Sequence, residues 1–268
     1  QYTDRDPGPG ARDHRCGTLS YDGHQGTDFA LPTEADLARQ VQVLAAAPGT
    51  VRAVRDGMAD HRQGTPGAPD ITGRDCGNGV VIDHADGWQT QYCHLANGSV
   101  AVAAGDRVAA GTPLGAVGLS GRTEFPHLHL TVRQDGAVVD PFDPSALDTC
   151  GTAAAAPLWS DPLAYSPGAV LDLGWSDRVP DYDLVKAGGA DKTDLARTDA
   201  ALVLWVYAFG GQAGDIARLR WEGPGGARYA DETALDRQQA LYFRAGGRRT
   251  PEGGWPAGEY LGQVELVR

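Results

Sequence analysis

The sequence predicts an all-β protein in two parts, an antiparallel β-sheet domain over residues 1–150 and an immunoglobulin-like β-sandwich over 158–268, joined by a linker at 151–157. Three observations predict it. The chain has 37 glycines and 17 prolines, only 7% aromatic residues and one methionine, which suits many short strands joined by turns better than a helical bundle. At 268 residues it is long for a single core, since domains run to about 150 residues. A low-complexity stretch at 151–157, with four consecutive alanines, separates halves of different composition, and five of the six tryptophans lie beyond it.

Residues 1–23 read as an irregular polar arm containing Pro7-Gly8-Pro9-Gly10. Thr33 can cap a short helical turn, with Asp36 three residues on. Val41-Gln42-Val43-Leu44 and Thr50-Val51-Arg52-Ala53-Val54 alternate across Pro48-Gly49, the pattern of a hairpin. Residues 57–75 form a long polar loop, a length that more often serves function than scaffold. A second hairpin is expected from strands at 80–83 and 88–92 around the turn His84-Ala85-Asp86-Gly87. From Val102 a Val/Gly repeat through Gly105, Val108, Gly111, Leu114 and Gly115 reads as turns and short strands. It resembles the barrel-sandwich turn of biotinyl and lipoyl carriers, but those need an acceptor lysine and residues 1–150 contain none. A strand at 127–133 and a turn at Gln134-Asp135-Gly136 close the first half. In the second, residues 201–209, 216–221, 240–244 and 259–268 alternate or run apolar as strands do. The tryptophans at 159, 175, 205, 221 and 255 read as sandwich core, with a ligand platform as the alternative.

The formal charge is −12, divided as −8 over residues 1–150 and −4 over 151–268. No basic cluster exceeds Arg248-Arg249, so nucleic acid is a poor candidate partner and strongly anionic surface polymers are disfavoured. No apolar run approaches the roughly 20 residues that span a bilayer. The N-terminus carries no charged-then-apolar signal pattern. The four cysteines include no C-x-x-C pair, which argues against a zinc knuckle or a thioredoxin-like site. Cys76 and Cys93 flank the second hairpin and could bridge its strands, while Cys16 and Cys150 bracket every histidine but His14. Disulfides at both pairs would place the chain in an oxidising compartment, periplasmic or secreted, with a signal peptide already removed. The competing reading is four buried thiols in a cytosolic protein.

The chemistry-bearing residues are histidines and one aspartate. Zinc hydrolases commonly use three ligands drawn from histidine and carboxylate and leave a fourth position for water. His24 and Asp28 are four apart, and His127-Leu128-His129 places two imidazoles on one face of a strand, because side chains alternate with period two. His14 and His61 read as solvated loop residues, and His84 as serving the hairpin turn. Tyr92, Gly26 and Asn78 read as packing and backbone requirements.

Taken in order, His24-x-Gly26-x-Asp28, Cys76-Gly77-Asn78-Gly79 leading into Val80-Val81-Ile82-Asp83-His84, Tyr92-Cys93-His94-Leu95, the Val/Gly repeat, Gly118-x-Ser120-Gly121 and His127-Leu128-His129 resemble the lysostaphin-type (LytM-like) zinc endopeptidases over about residues 20–145. The resemblance implies one zinc per chain held by His24, Asp28 and His129, with His94 and His127 as unligated catalytic histidines. One of the two would be general base and the other charge stabiliser, in either assignment. It also implies hydrolysis of peptidoglycan peptides, in the stem or the cross-bridge. Two alternatives accompany it. Some relatives have lost metal ligands and regulate wall amidases without catalysis, and others cut glycine-rich extracellular proteins. The C-terminal sandwich, which has no histidine, is expected to bind a wall or protein partner or to stabilise the peptidase.

Overall fold

The computed structural model describes residues 1–145, 147–151, 156–161 and 163–268. The chain is nearly all β, and it divides into two compact units, Gln1–Leu31 with Asp36–Tyr165 and Pro32–Ala35 with Ser166–Arg268. Residues 152–155 of the expected linker lie outside the described residues. The division falls at 165/166 rather than at 157 because the segment after the linker packs on the first unit. Trp159 sets its ring against Phe29 and Phe142, with centroids 5.9 and 5.4 Å apart, so it is not sandwich core. The Tyr165 hydroxyl donates to Asp13 Oδ2 at 2.8 Å.

The first unit contains β1 (Thr27–Ala30), β2 (Gln42–Leu44), β3 (Gly49–Arg55), β4 (Asn78–Asp83), β5 (Trp88–Leu95), β6 (Arg107–Val108), β7 (Pro113–Ala116), β8 (His127–Gln134) and β9 (Ala137–Val139); a 3-10 turn at Glu34–Arg39 begins just after Thr33, and its first two residues belong to the second unit. All pairings are antiparallel. The main sheet runs β1-β8-β5-β4-β3-β6, with β9 also on β8, and β2 pairs with β7 in a two-stranded ribbon. Val43 of the ribbon and Leu114 beside it meet Val51, Val80, Ile82, Tyr92, Leu130 and Val132 of the main sheet in one core. Each such side chain contributes about 1.5–3 kcal/mol when fully buried.

The hairpin expected at Pro48-Gly49 does not form. After β2 the chain keeps pairing with the β7 side, since Ala45 N–H donates to Thr112 O and Gly111 N–H to Ala45 O. Pro48-Gly49 is therefore a crossover from ribbon to sheet, and β3 pairs with β4 and β6 instead. Gly49 is required there, because a Cβ would sit 2.5 Å from Asp83 O. The β4–β5 hairpin forms as its pattern predicts. Both expected disulfides are present, Cys16–Cys150 and Cys76–Cys93.

The N-terminal arm departs from its reading as an irregular polar segment. Arg5 has no exposed side-chain surface and pairs with Asp140 at 3.2 Å and Asp143 at 3.3 Å. His14, expected in solvent, is buried, with its ring stacked on Phe142 at 5.1 Å. A short polar stretch reads as solvated when the acids that neutralise it lie about 135 residues away. His84 does serve its turn, with Nδ1 on Pro48 O and Nε2 on Thr90 Oγ1.

The second unit contains β10 (Ala169–Ser176), α1 (Tyr182–Ala187), β11 (Ala201–Gly211), β12 (Ile216–Glu222), β13 (Arg228–Ala234), β14 (Gln239–Arg249) and β15 (Leu261–Val267). Two three-stranded antiparallel sheets, β10-β11-β14 and β13-β12-β15, share a core of Leu204, Val206, Ala217, Leu219, Trp221 and Tyr242. The order is that of strands A-B-E and C′-C-F of an immunoglobulin-like sandwich. β11 is buried on both faces, which explains its unbroken apolar run. Leu204 and Val206 face the sandwich core, while Trp205 and Tyr207 meet Val185 of α1. Among the described residues no helix is long and apolar enough to cross a membrane.

The disulfides close loops of very different size, with sequence separations of 134 and 17. Chain-entropy arithmetic gives about 5 kcal/mol for the first and about 3 kcal/mol for the second. Equilibrium urea unfolding of the paired Cys→Ser variants is expected to show the larger loss for Cys16/Cys150; a larger loss for Cys76/Cys93 would mean that native-state contacts, not loop closure, set the contribution.

Candidate metal and active site

The site begins with strand register. β1 and β8 pair so that Asp28 lies opposite His129, and side chains of directly opposed residues stand close on one face. Along β8, Leu128, Leu130 and Val132 contribute to the core, so His127, His129 and Thr131 project from the other face. His24 reaches the same place from the loop before β1. Gly26 between them is a spatial requirement, since a Cβ there would lie 2.6 Å from Leu130 O and 2.7 Å from His129 Nε2.

Three donor atoms converge: His24 Nε2 and Asp28 Oδ1 are 3.2 Å apart, His24 Nε2 and His129 Nδ1 3.2 Å, and His129 Nδ1 and Asp28 Oδ1 2.8 Å. His24 and Asp28 are buried and His129 half-buried. His127 Nε2 lies 3.5 Å from the same carboxylate oxygen. The rings of His94 and His127 are 4.7 Å apart, and those of His94 and His129 6.0 Å. All five residues singled out in the sequence thus come together.

His94 arrives by a break in strand geometry. Tyr92 and Leu95 both face the core, although three positions apart, so the alternation of β5 changes phase between them. Val80 pairs with Tyr92 but Asn78 with Leu95, which places one extra residue on β5, a bulge of the kind that re-aims side chains beside active sites. His94 takes up the irregularity with a left-handed backbone, φ 64°. Such a conformation costs on the order of 1–3 kcal/mol and persists where its surroundings over-determine it. Here His94 N–H donates to Cys76 O, Gly118 N–H donates to His94 O, and Asn78 Nδ2 donates to Leu95 O.

The ring partners fix which nitrogens carry protons. His24 Nδ1 lies 2.7 Å from Tyr2 O, His94 Nδ1 2.8 Å from Ser120 O and His127 Nδ1 2.8 Å from Phe125 O. A carbonyl oxygen only accepts, so each Nδ1 is the protonated one and each Nε2 of a neutral ring keeps a lone pair. The lone pair of His24 Nε2 then faces the Asp28 carboxylate at 3.2 Å. Two acceptors at that distance are reconciled by a cation between them, a proton or a metal ion, and the donor set of two imidazoles and a carboxylate suits zinc. The residues present therefore fit the metal that the sequence resemblance implies.

Burial pushes the His94 imidazole down to about 3, helped by the neighbouring His127. Burial likewise lowers His127, against the opposing pull of Asp28. For Asp28 burial acts upward, but the imidazoles of His129, His24 and His127 around it outweigh burial, and the carboxyl falls well below its ordinary range. Asp28 is thus held as a carboxylate, with His94 and His127 held neutral beside it.

The contacts of several supporting residues escape sequence reading, including those of Ser120, which the sequence shows only as part of Gly118-x-Ser120-Gly121. Ser120 accepts from Asn78 N–H through Oγ and donates that hydroxyl to Leu95 O. Thr123 Oγ1 lies 3.0 Å from His127 Nδ1, and Thr131 Oγ1 3.1 Å from His129 Nε2. Tyr21 and Phe125 stack on His24 and His127, with centroids 4.4 and 4.3 Å apart. The signal available was proximity in sequence, since four of these six pairs lie within four residues.

Residues 22–141 match peptidase family M23. Among named proteins, the chain is 39% identical over 119 residues to the DD-carboxypeptidase/endopeptidase Mpg of Neisseria meningitidis, covering 44% of this chain and 22% of that one. It is 34% identical over 107 residues to the peptidoglycan DD-endopeptidase ShyA of Vibrio cholerae, covering 40% and 19%. The matched segments thus span less than a quarter of either relative. Among solved structures, the catalytic domain of the prophage-encoded M23 protein EnpA of Enterococcus faecalis is 26% identical with a TM-score of 0.36, covering 53% of this chain and 85% of that one.

Gly26→Ala tests the packing at the centre of the site. The added methyl collides with the β8 backbone and the His129 ring together, so a loss of about 1–3 kcal/mol is expected. Denaturant titration checks it, and unchanged stability would mean that the loop before β1 yields freely.

Proposed function

From the peptidase family M23 domain at residues 22–141, we propose that this chain is a zinc-dependent endopeptidase that hydrolyses peptide bonds of bacterial peptidoglycan, in the stem peptide or the cross-bridge. The observation that carries the proposal is the convergence of His24 Nε2, Asp28 Oδ1 and His129 Nδ1 within 3.2 Å of one another, with two further imidazoles alongside. His24, Asp28 and His129 would hold a single zinc. Bound there, the ion would supply a Lewis acid that acidifies water toward a pKa of about 7 and polarises the scissile carbonyl.

The chain's own groups handle the proton. Nδ1–H of His94 and of His127 is tied to the carbonyls of Ser120 and Phe125, so both Nε2 atoms are free to accept. Burial keeps both rings neutral until the reaction calls on one of them. At 4.7 Å between centroids the two repel as cations, so one proton at a time is held by the pair. The ring that takes it becomes a positive charge in a water-poor site, suited to stabilise the oxyanion of the tetrahedral intermediate. The other remains a base or hydrogen-bond partner.

The named activities of the two bacterial relatives support a peptidoglycan substrate. The two disulfides favour an oxidising compartment, periplasmic or extracellular. The second unit is assigned an accessory role, toward a wall or protein partner.

Elemental analysis of the purified protein is expected to find about one zinc per chain, with hydrolysis of purified peptidoglycan lost together with the metal in His129→Ala. His94→Ala and His127→Ala are expected to keep the zinc and lose about 10²–10⁴-fold in rate. Wild-type protein that neither holds zinc nor cuts any wall preparation would overturn the proposal in favour of a non-catalytic regulator.

A further inference from the structure

The polar arm at the start of the chain runs alongside the loop that carries His24 and Asp28 and bonds to it along its length. Asp28 N–H donates to Gln1 O at 2.8 Å, Tyr2 N–H to Leu19 O at 2.8 Å and Asp4 N–H to His24 O at 2.8 Å. Thr3 Oγ1 donates to Gly26 O at 3.3 Å, and Asp4 Oδ2 accepts from Gly23 N–H at 2.9 Å. At the centre of this contact the carbonyl of Tyr2 lies 2.7 Å from His24 Nδ1. It also accepts from Ser20 Oγ at 2.8 Å.

What holds the arm is unusual for a polar segment. Arg5 is fully buried. Its guanidinium donates to Thr149 O at 2.5 Å, Asp140 Oδ2 at 3.2 Å, Asp143 O at 2.8 Å and Ser145 Oγ at 3.0 Å. The Tyr2 ring packs edge-on against both His14 and Phe142, with centroids at 4.8 and 4.9 Å. The arm is thereby fixed to the segment after β9 on one side and to the His24 loop on the other.

We propose that residues 1–5 form a positioning arm for the metal centre, in which the Tyr2 carbonyl holds His24 as the Nδ1–H tautomer and aims Nε2 at Asp28 and His129, while Arg5 anchors the carbonyl in place. This rests on the zinc reading of the site. The chemistry is that of an outer layer around a metal: a partner on the second ring nitrogen fixes tautomer and orientation and raises the basicity of the ligating one. An unsupported imidazole divides between tautomers and rotates about its side-chain bonds, so it meets a metal less often in the competent form. The Tyr2 carbonyl can enforce only one tautomer, because it has no proton to give. The Tyr2 carbonyl meets His24 at Nδ1, not at the Nε2 that faces Asp28 and His129, so it acts as a positioning group.

Two measurements test the arm. In a chain lacking residues 1–3, which retains Arg5 and the Cys16–Cys150 disulfide, zinc affinity measured by competition with a chromogenic chelator is expected to fall about 10–100-fold while circular dichroism reports an intact fold. A folded variant with unchanged zinc affinity would overturn the proposal. In the zinc-loaded wild-type protein, nitrogen-15 NMR of the imidazoles is expected to show His24 protonated at Nδ1, with that proton slow to exchange, and zinc on Nε2. Zinc on Nδ1 of His24, or a rapidly exchanging Nδ1 proton, would overturn it even if the shortened chain fails to fold. Failure of the zinc reading itself looks different, because wild-type protein would then bind no zinc in either experiment.

Discussion

The first unit depends on the pairing of β1 with β8 in one register. Asp28 stands opposite His129 in that register, and the same strand that offers His127 and His129 on one face packs Leu128, Leu130 and Val132 on the other. A slip of one residue would exchange the faces, exposing the leucines and burying the imidazoles against apolar side chains. Hydrophobic burial therefore selects the arrangement that the candidate metal site needs, and the two requirements reinforce each other. The convergence is nonetheless unfavourable when empty of charge compensation, because a carboxylate and ring lone pairs face one another. The surrounding carbonyls, each holding an Nδ1 proton, keep that arrangement from relaxing by rotation of the rings.

The candidate site residues were legible where local periodicity governs them. His127 and His129 follow from period two on a strand, and the β4–β5 hairpin from a turn sequence between alternating segments. The family resemblance supplied His24, Asp28 and His94 as members of one site, but not how they reach it. Alternation from Tyr92 would send His94 into the core, and only the bulge, a property of the pairing with β4 rather than of β5 alone, turns it toward the other imidazoles. Long-range pairing also defeated the hairpin expected at Pro48-Gly49, since β2 finds its partner about 70 residues later in β7. Arg5 and His14 failed for a related reason: burial of a charge or an imidazole is decided by partners that local composition does not show.

In the second unit, the strongest strand is the one with both faces covered. β11 reads as a continuous apolar run because Val185 of α1 closes its outer face and β12 its inner one. The elements that sequence reading missed, β10, α1 and β13, are a partly exposed edge strand, a helix of six residues and a polar edge strand. Edges are where charged and short segments are favoured, since they discourage pairing with other chains. Weak hydrophobic patterning there is a consequence of position in the sheet.

The Cys76–Cys93 bond sits at the end of the β4–β5 ladder, next to the left-handed residue His94. Ends of hairpins are ordinarily the first places to breathe, opening at little free-energy cost well below global unfolding. A covalent tie at this end removes the least stable opening from the ensemble. The one backbone distortion in the site is therefore shielded from fraying, and its neighbours can exchange slowly even though they lie at the boundary of a sheet.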